Sequence, residues 1–287
     1  MTSALHRLVE DPEEFRRAWP AVPTVYKRDA KELALLANHD SVREIIADPD
    51  VRPGGMGMVR DGRLTGETPT ADHKASTLVL NGLHRSWPPL MLFCKEIGAQ
   101  LGHPVTGNVY LTPGGQSQGF AWHWDCHHVF IAQVSGSKRW SINEPVFVDP
   151  LEHHNWKRIG FSPEELDRFN NKAPDYDLTL TAGDVLYLPR GWVHSGRSAS
   201  DEPSLHITMG VQLLTWHWVI KRLAVLAEED EAMRAALPPD LGGRDMEDLF
   251  NVGRETIMQW LAELDVEKAG LNLRSGQRLS VIGMERK

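Results

Sequence analysis

The sequence predicts a mainly β protein with helical flanks: a core of short strands arranged as a sandwich or barrel, followed by a C-terminal helical segment. Three observations predict it. Between residues 76 and 215, short runs rich in β-branched and aromatic residues alternate with turn signals: Pro113-Gly114-Gly115, Ser135-Gly136-Ser137, Ala182-Gly183-Asp184 and Pro189-Arg190-Gly191. On either side, apolar residues recur at helical spacing. The 287 residues, 41% hydrophobic and 24% charged, suffice for one large core or two ordinary ones. The expected regions are 1–75, a helical and loop region packed on the core; 76–215, the β domain; and 216–287, the helical segment.

The N-terminal 50 residues read as short helices. Asp11-Pro12 is an N-cap followed by proline at the first helical position, and Ser41-Val42-Arg43-Glu44 has the capping-box spacing for a helix toward Ala47. Residues 51–74, with five glycines and two prolines, read as a loop or hairpin. A strand follows at 77–82, then a helix from Pro88-Pro89 to about Gly102, with Leu90, Leu92, Phe93, Ile97 and Leu101 as its apolar face. Strands are expected at Gly107–Thr112, His127–Val134, Arg139–Ile142, Leu178–Leu180, Val185–Leu188 and Leu205–Leu213. Ser162-Pro163 opens a helical insert among them. From 216 one long helix is expected up to Pro238-Pro239, then another over Asp245–Leu264.

Composition narrows the function. The net charge of −8 is spread as 11 basic against 13 acidic side chains in 1–74, 10 against 13 in 75–216 and 10 against 13 in 217–287. No segment concentrates the positive field of a nucleic-acid surface, so no direct nucleic-acid partner is expected. No run approaches a membrane span, the start lacks a secretory signal, and two cysteines cannot frame a disulfide fold. The expected compartment is the cytoplasm.

The 13 histidines are the unusual feature, and their positions carry the chemistry. In Trp122-His123-Trp124-Asp125, strand geometry would put His123 and Asp125 on one face, able to share an ion. Alone this is weak: 13 histidines and 39 acids in 287 positions make about 1.8 such His-x-acid triplets by chance. A third ligand stands in Val185–Gly196: an apolar strand, the Pro189–Gly191 turn, then His194 on the returning chain. Two His and one Asp form the facial triad of non-haem Fe(II) oxygenases, which leaves coordination positions open. A closed zinc site would want a fourth ligand, and Cys126 would point away from Asp125 on a strand.

The run from Asn108 to Trp140 resembles the JmjC-type oxygenases of the cupin superfamily, especially the ribosomal oxygenase branch. The resemblance rests on Asn108, Tyr110, Thr112, Pro113, Gln118, Gly119, His123, Asp125, Phe130, Gln133, Gly136, Lys138 and Trp140. The later Leu186–His194 and Ser204–Gly210 segments also carry it. It implies a double-stranded β-helix binding Fe(II) and 2-oxoglutarate at His123, Asp125 and His194, and using O2 to hydroxylate a protein or peptide side chain with release of succinate and CO2. Lys138 is the implied partner of the cosubstrate's distal carboxylate, with Arg139 as competitor; Tyr110, Asn108 and Thr208 are implied pocket residues. His206 either faces the site or satisfies a core hydrogen bond. His127, His128, His153 and His154 are expected on the surface. Trp122, Trp124 and Trp192 are either core or substrate wall, and Trp122 stands where this branch usually has proline. Residues 216–287 have the length of the family's helical dimerisation segment, so a homodimer is expected, but not a winged helix after it. The alternatives are a cupin dioxygenase or isomerase acting on a small molecule, and a catalytically silent JmjC-like binding module.

Overall fold

The computed structural model describes residues 3–281 except 52, 73, 238, 240–242 and 244. The chain forms two compact units, Met1–Leu213 and Leu214–Lys287.

The first unit carries strands β1 (Thr24–Lys27), β2 (Gly55–Arg60), β3 (Arg63–Thr65), β4 (Thr77–Asn81), β5 (Val105–Thr112), β6 (His128–Ser135), β7 (Ser137–Asn143), β8 (Tyr176–Thr181), β9 (Asp184–Leu188), β10 (Val193–Ser198) and β11 (Ser204–Val211). Its helices are α1 (Pro12–Arg17), α2 (Ala30–Ala34), α3 (His39–Ala47), α4 (Pro88–Leu101), α5 (Trp156–Ile159) and α6 (Pro163–Asn171). Eight strands form one antiparallel sheet in the order β1-β9-β6-β11-β5-β4-β2-β3, and three form a second, β10-β7-β8. The sequence's mainly β expectation is the architecture observed.

Strand periodicity divides the interior in two. On β6, Phe130, Ala132 and Val134 face a core shared with Leu5, Phe15 and Leu33 of the N-terminal region. The alternate residues Val129 and Ile131 meet Trp140, Ile142 and Leu180 of the small sheet. On β9, Val185 and Tyr187 take the first side, Leu186 and Leu188 the second. Val129–Ala132 and Val185–Leu188 therefore read as unbroken apolar runs within these strands, because both of their faces are buried. Gly136 makes the turn from β6 to β7 with φ +65°; a Cβ there would stand 2.2 Å from the carbonyl oxygen of Pro203, so only glycine fits.

Several local expectations are corrected. Thr24–Lys27, inside the segment expected to be helical, is a strand paired to β9; four residues, three half-buried and one exposed, are too few for a period to show. The capping box of α3 lies one turn earlier than expected, with Asn38 as N-cap and Ser41 as its reciprocal partner. Asp11 does cap α1, and Ser162 with Glu165 caps α6. On α4, Leu90, Phe93, Cys94 and Ile97 are buried, but Leu92 is 63% exposed. Two residues on from Leu90, it projects from the far side of the helix.

In the second unit the single long helix expected after 216 is broken into α7 (Trp216–Ala227) and α8 (Glu231–Arg234). The Asp230 carboxylate accepts from the backbone N–H of Ala232 and Met233 and so starts a new helix. Of the expected stop, Pro238 lies outside the described residues. Helix α9 (Met246–Glu263) matches expectation within a residue, whereas α10 (Val266–Val281) was not anticipated. Helices α7 and α10 meet where Arg222 lies over Gly276 and donates to Asn272 Oδ1 (3.1 Å). On α9, Met246, Phe250, Ile257 and Leu261 are exposed and form an apolar face that the other described helices of this unit leave uncovered.

Candidate active site

His123 and His194 are brought together by backbone pairing between a loop and β10. The His194 N–H donates to the carbonyl of His123 (2.8 Å) and the His123 N–H to that of His194 (3.2 Å), an isolated antiparallel bridge. The expectation that His123 and Asp125 share a strand face is corrected: Trp122–Asp125 is not a strand. Asp125 sits in a bend whose carbonyl accepts from the Gly191 N–H (2.9 Å), which ties it to the turn before β10. The sequence-predicted trio nonetheless converges. One donor atom from each of His123, Asp125 and His194 lies within 4.8 Å of the others, with His194 Nε2 3.7 Å from Asp125 Oδ2.

The donor chemistry suits a divalent metal. His123 Nδ1 lies 2.7 Å from the Ala121 carbonyl and His194 Nδ1 2.9 Å from that of Trp192. A carbonyl only accepts, so each Nδ1 carries the proton and each Nε2 keeps its lone pair for an ion. Burial, reinforced by His123, pushes His194 down to about 4, so it is neutral at pH 7. Burial alone would raise the Asp125 carboxyl, but the imidazoles of His127, His194 and His123 outweigh it and hold it below the ordinary carboxylate value.

Beside the trio lies a cavity of about 180 Å³ whose walls include Asn108, Tyr110, Lys138, Trp140, His206 and Thr208. Lys138 reaches it from β7 and is 2% exposed. Its Nζ donates to Thr112 Oγ1 (2.9 Å), and among the described residues it has no carboxylate partner. Burial pushes its pKa down to about 7. Such an ammonium is costly unless an anion joins it. Gly196, opposite, makes the room: a Cβ there would come within 2.9 Å of Lys138 Cε and 3.0 Å of the Trp140 ring. Alternation along β7 excludes Arg139 from this place. It points outward, exposed, in a bidentate pair with Asp177.

Tyr110 on β5 and His206 on β11 are direct cross-strand partners, their rings stacked at 4.8 Å and 2°. His206 therefore faces the cavity. Its buried Nδ1 has no hydrogen-bond partner among the described residues, and burial together with the Lys138 charge holds it well below the usual histidine pKa. Burial, and then Asp125, raise the Tyr110 phenol. Asn108, which pairs with Thr208 across the strands, accepts from the Gly82 N–H at its Oδ1 (2.8 Å) and so also anchors a neighbouring turn.

The expectation of surface histidines fails at 127 and 128. His128 is the first residue of β6, 7% exposed, packed between Trp19 and Tyr187 and accepting from the Arg190 N–H (3.0 Å). His127 lines the cavity with its ring against Gly210. His128 is buried because β6 begins where the chain enters the sheet, and His127, one residue earlier, is half-buried. His153 is exposed; His154 is half-buried against Phe147. Of the tryptophans, Trp124 and Trp192 are core, while Trp122 is half-buried and donates to Asn170 Oδ1 on α6 (3.0 Å). Trp156 and Lys157, which line the cavity mouth, escaped sequence reasoning, since they lie in the insert with no spacing that links them to the metal segments.

Residues 91–219 match the JmjC domain family. The curated relatives that this chain resembles include proteins named as ribosomal oxygenases. It is 36% identical over 160 residues to "Ribosomal oxygenase 1" of Danio rerio, covering 54% of this chain and 27% of that one. It is 37% identical over 153 residues to "Bifunctional lysine-specific demethylase and histidyl-hydroxylase NO66" of Dictyostelium discoideum, covering 51% and 28%. The chain thus spans about a quarter of the length of these curated relatives. Among solved structures, Escherichia coli YcfD superposes with a TM-score of 0.59 at 18% identity, covering 90% of this chain and 69% of that one. YcfD in complex with cobalt and 2-oxoglutarate gives 0.57 at 18% identity, covering 90% and 68%. At this identity the likeness shows the shared fold.

Proposed function

We propose that this chain is an Fe(II)- and 2-oxoglutarate-dependent oxygenase that hydroxylates a side chain of a protein or peptide, with succinate and CO2 as coproducts. The observation that carries the reading is the pairing of two features in one cavity: a His-Asp-His donor set with both Nε2 lone pairs presented, and a buried lysine without an anion. Relatives named as oxygenases and hydroxylases, and a fold neighbour described in complex with cobalt and 2-oxoglutarate, support the same assignment.

His123, Asp125 and His194 would hold the metal on one face, leaving the other positions to cosubstrate and O2. Bound there, iron with 2-oxoglutarate and O2 supplies the insertion of one oxygen atom into a C–H bond, chemistry no side chain can perform. Lys138, kept in place by Thr112, would receive the distal carboxylate as a charge-assisted hydrogen bond in a dry environment. The Tyr110 and Thr208 hydroxyls line the space between and orient the cosubstrate. Trp140 and the stacked Tyr110–His206 pair exclude water from it. The lysine and the polar inner wall favour this reading over a small-molecule cupin reaction.

The exposed apolar face of α9 supports association of two chains through the second unit. Cys94 and Cys126, both free, fit a reducing cytoplasm, and no described helix is long and apolar enough to cross a membrane.

The test is incubation with Fe(II), ascorbate, 2-oxoglutarate and a host peptide pool. Succinate formation that depends on iron, with the gain of one oxygen on a peptide, is the expected result. Iron binding without succinate would leave a binding module, and oxidation without 2-oxoglutarate would leave a different cupin enzyme.

A further inference from the structure

A second, larger hollow lies outside the barrel. A groove of about 1200 Å³ runs over the outer face of the small sheet, between the β2–β3 turn and helix α6. It exceeds the roughly 300–1,000 Å³ of small-molecule pockets. Trp156 lines both this groove and the metal cavity, and its ring centroid stands 5.9 Å from that of His123. Trp156 therefore stands where the groove and the cavity beside the trio adjoin.

The groove's charge is opposite to the protein's. Its charged lining is Arg63, Arg139, Lys172 and Arg197 against Asp61 and Asp177, in a chain of net charge −8. Arg139 and Asp177 neutralise each other. Arg63, Lys172 and Arg197 are exposed, and among the described residues none of them has a carboxylate partner. Moreover, Arg197 on β10 stands directly opposite Arg139 on β7, on the same outward face. Arg139 is held by Asp177, whereas the Arg197 guanidinium donates to the Gln118 amide oxygen (3.3 Å) and has no carboxylate partner among the described residues.

We propose that this groove docks an acidic, extended segment of the polypeptide substrate, with the residue to be oxidised passing Trp156 to reach the metal. The proposal rests on the hydroxylase reading above and names its substrate class. A peptide fits better than RNA, because Asp61 lies within the groove close in sequence to Arg63. It would repel a backbone charged at every residue, whereas a peptide can place its carboxylates at Arg63, Lys172 and Arg197. The Trp122–Asn170 hydrogen bond, which ties the metal-bearing loop to α6, keeps the far wall in place.

The experiment is fluorescence anisotropy on the full chain with labelled peptide pools that are Asp/Glu-rich, uncharged or Lys/Arg-rich, and with a labelled single-stranded RNA. The acidic pool is expected to bind at least about tenfold more tightly than the basic one and to weaken with added salt. Arg197→Glu and Arg63→Glu should each reduce that affinity by about three- to tenfold, while Arg43→Glu on α3 leaves it unchanged. Equal or tighter binding of the basic or uncharged pool would overturn the proposal. So would preference for RNA, or an Arg197→Glu effect no larger than that of Arg43→Glu. Iron-dependent succinate formation, measured in parallel on the unmodified chain, tests the hydroxylase reading separately, so the two can fail independently.

Discussion

The two faces of β5 and β11 differ more than any two distant parts of the molecule. Outward, Val105, Val109, Leu111, Leu205, Ile207, Met209 and Val211 join the apolar core beneath the N-terminal helices. Inward, from the same strands, Asn108, Tyr110, His206 and Thr208 line the cavity beside His123, Asp125 and His194. Each inner residue is separated from an outer one by a single peptide unit. The rigid apolar face thus holds the polar face in register, and stability and chemistry are assigned to alternate residues of one strand.

The strongest way to break this division is at the metal trio. His194→Ala or Asp125→Ala should lower iron-dependent succinate formation at least about a hundredfold while leaving thermal unfolding within the range of surface changes. Coupled loss of folding and turnover would instead make the trio structural. Next comes the outer face. Ile207→Ala should cost about 2–5 kcal/mol of stability in denaturant titrations. Turnover per folded molecule should be unaltered, and a selective loss of turnover would show that the faces are not independent.

Lys138 tests the inner face without touching the metal. Lys138→Met should weaken cosubstrate binding by about 2–5 kcal/mol, read as a rise in the 2-oxoglutarate KM with little change in iron affinity. Its pH behaviour sharpens the point. Without cosubstrate, burial holds Lys138 at about 7, below the ordinary value of 10.5. Above pH 7 the amine loses the charge that pairs with a carboxylate, so cosubstrate affinity should fall as pH rises, and this fall should vanish in Lys138→Met. In the same window the unfolded chain binds more protons than the folded one. The cosubstrate-free protein should therefore gain stability from about pH 7 toward 10 relative to Lys138→Met. The smallest effect is expected far from both faces. Asp11→Ala, which removes the cap of α1, should cost about 1 kcal/mol and leave the KM unaltered.

Much of this division was legible in the sequence, because period-two alternation is a local property. Asn108 and Tyr110 are two residues apart, as are His206 and Thr208, and the apolar residues between them declare the other face. Lys138 beside Arg139 was ambiguous only until the strand's phase was known. The rest depended on long-range pairing. The bridge that joins His123 to His194 spans 71 residues of sequence, and Asp125 is held by a bond to Gly191 rather than by a strand of its own. His127 and His128 looked like surface because nothing nearby revealed that Trp19, Tyr187 and Gly210 would enclose them. Trp156 was silent for the same reason. Helices α8 and α10 were missed where a cap or a short junction interrupts an otherwise continuous helical pattern.

The central claim, that one cavity binds iron through the trio and 2-oxoglutarate through iron and Lys138 together, is tested most directly by anaerobic titration of the Fe(II)-loaded chain with 2-oxoglutarate, followed by visible absorption. The account predicts a charge-transfer band that saturates at one equivalent, requires both His194 and Fe(II), and in Lys138→Met appears only at much higher 2-oxoglutarate. The absence of a band in the iron-loaded wild-type chain, or an unshifted titration in Lys138→Met, would contradict it.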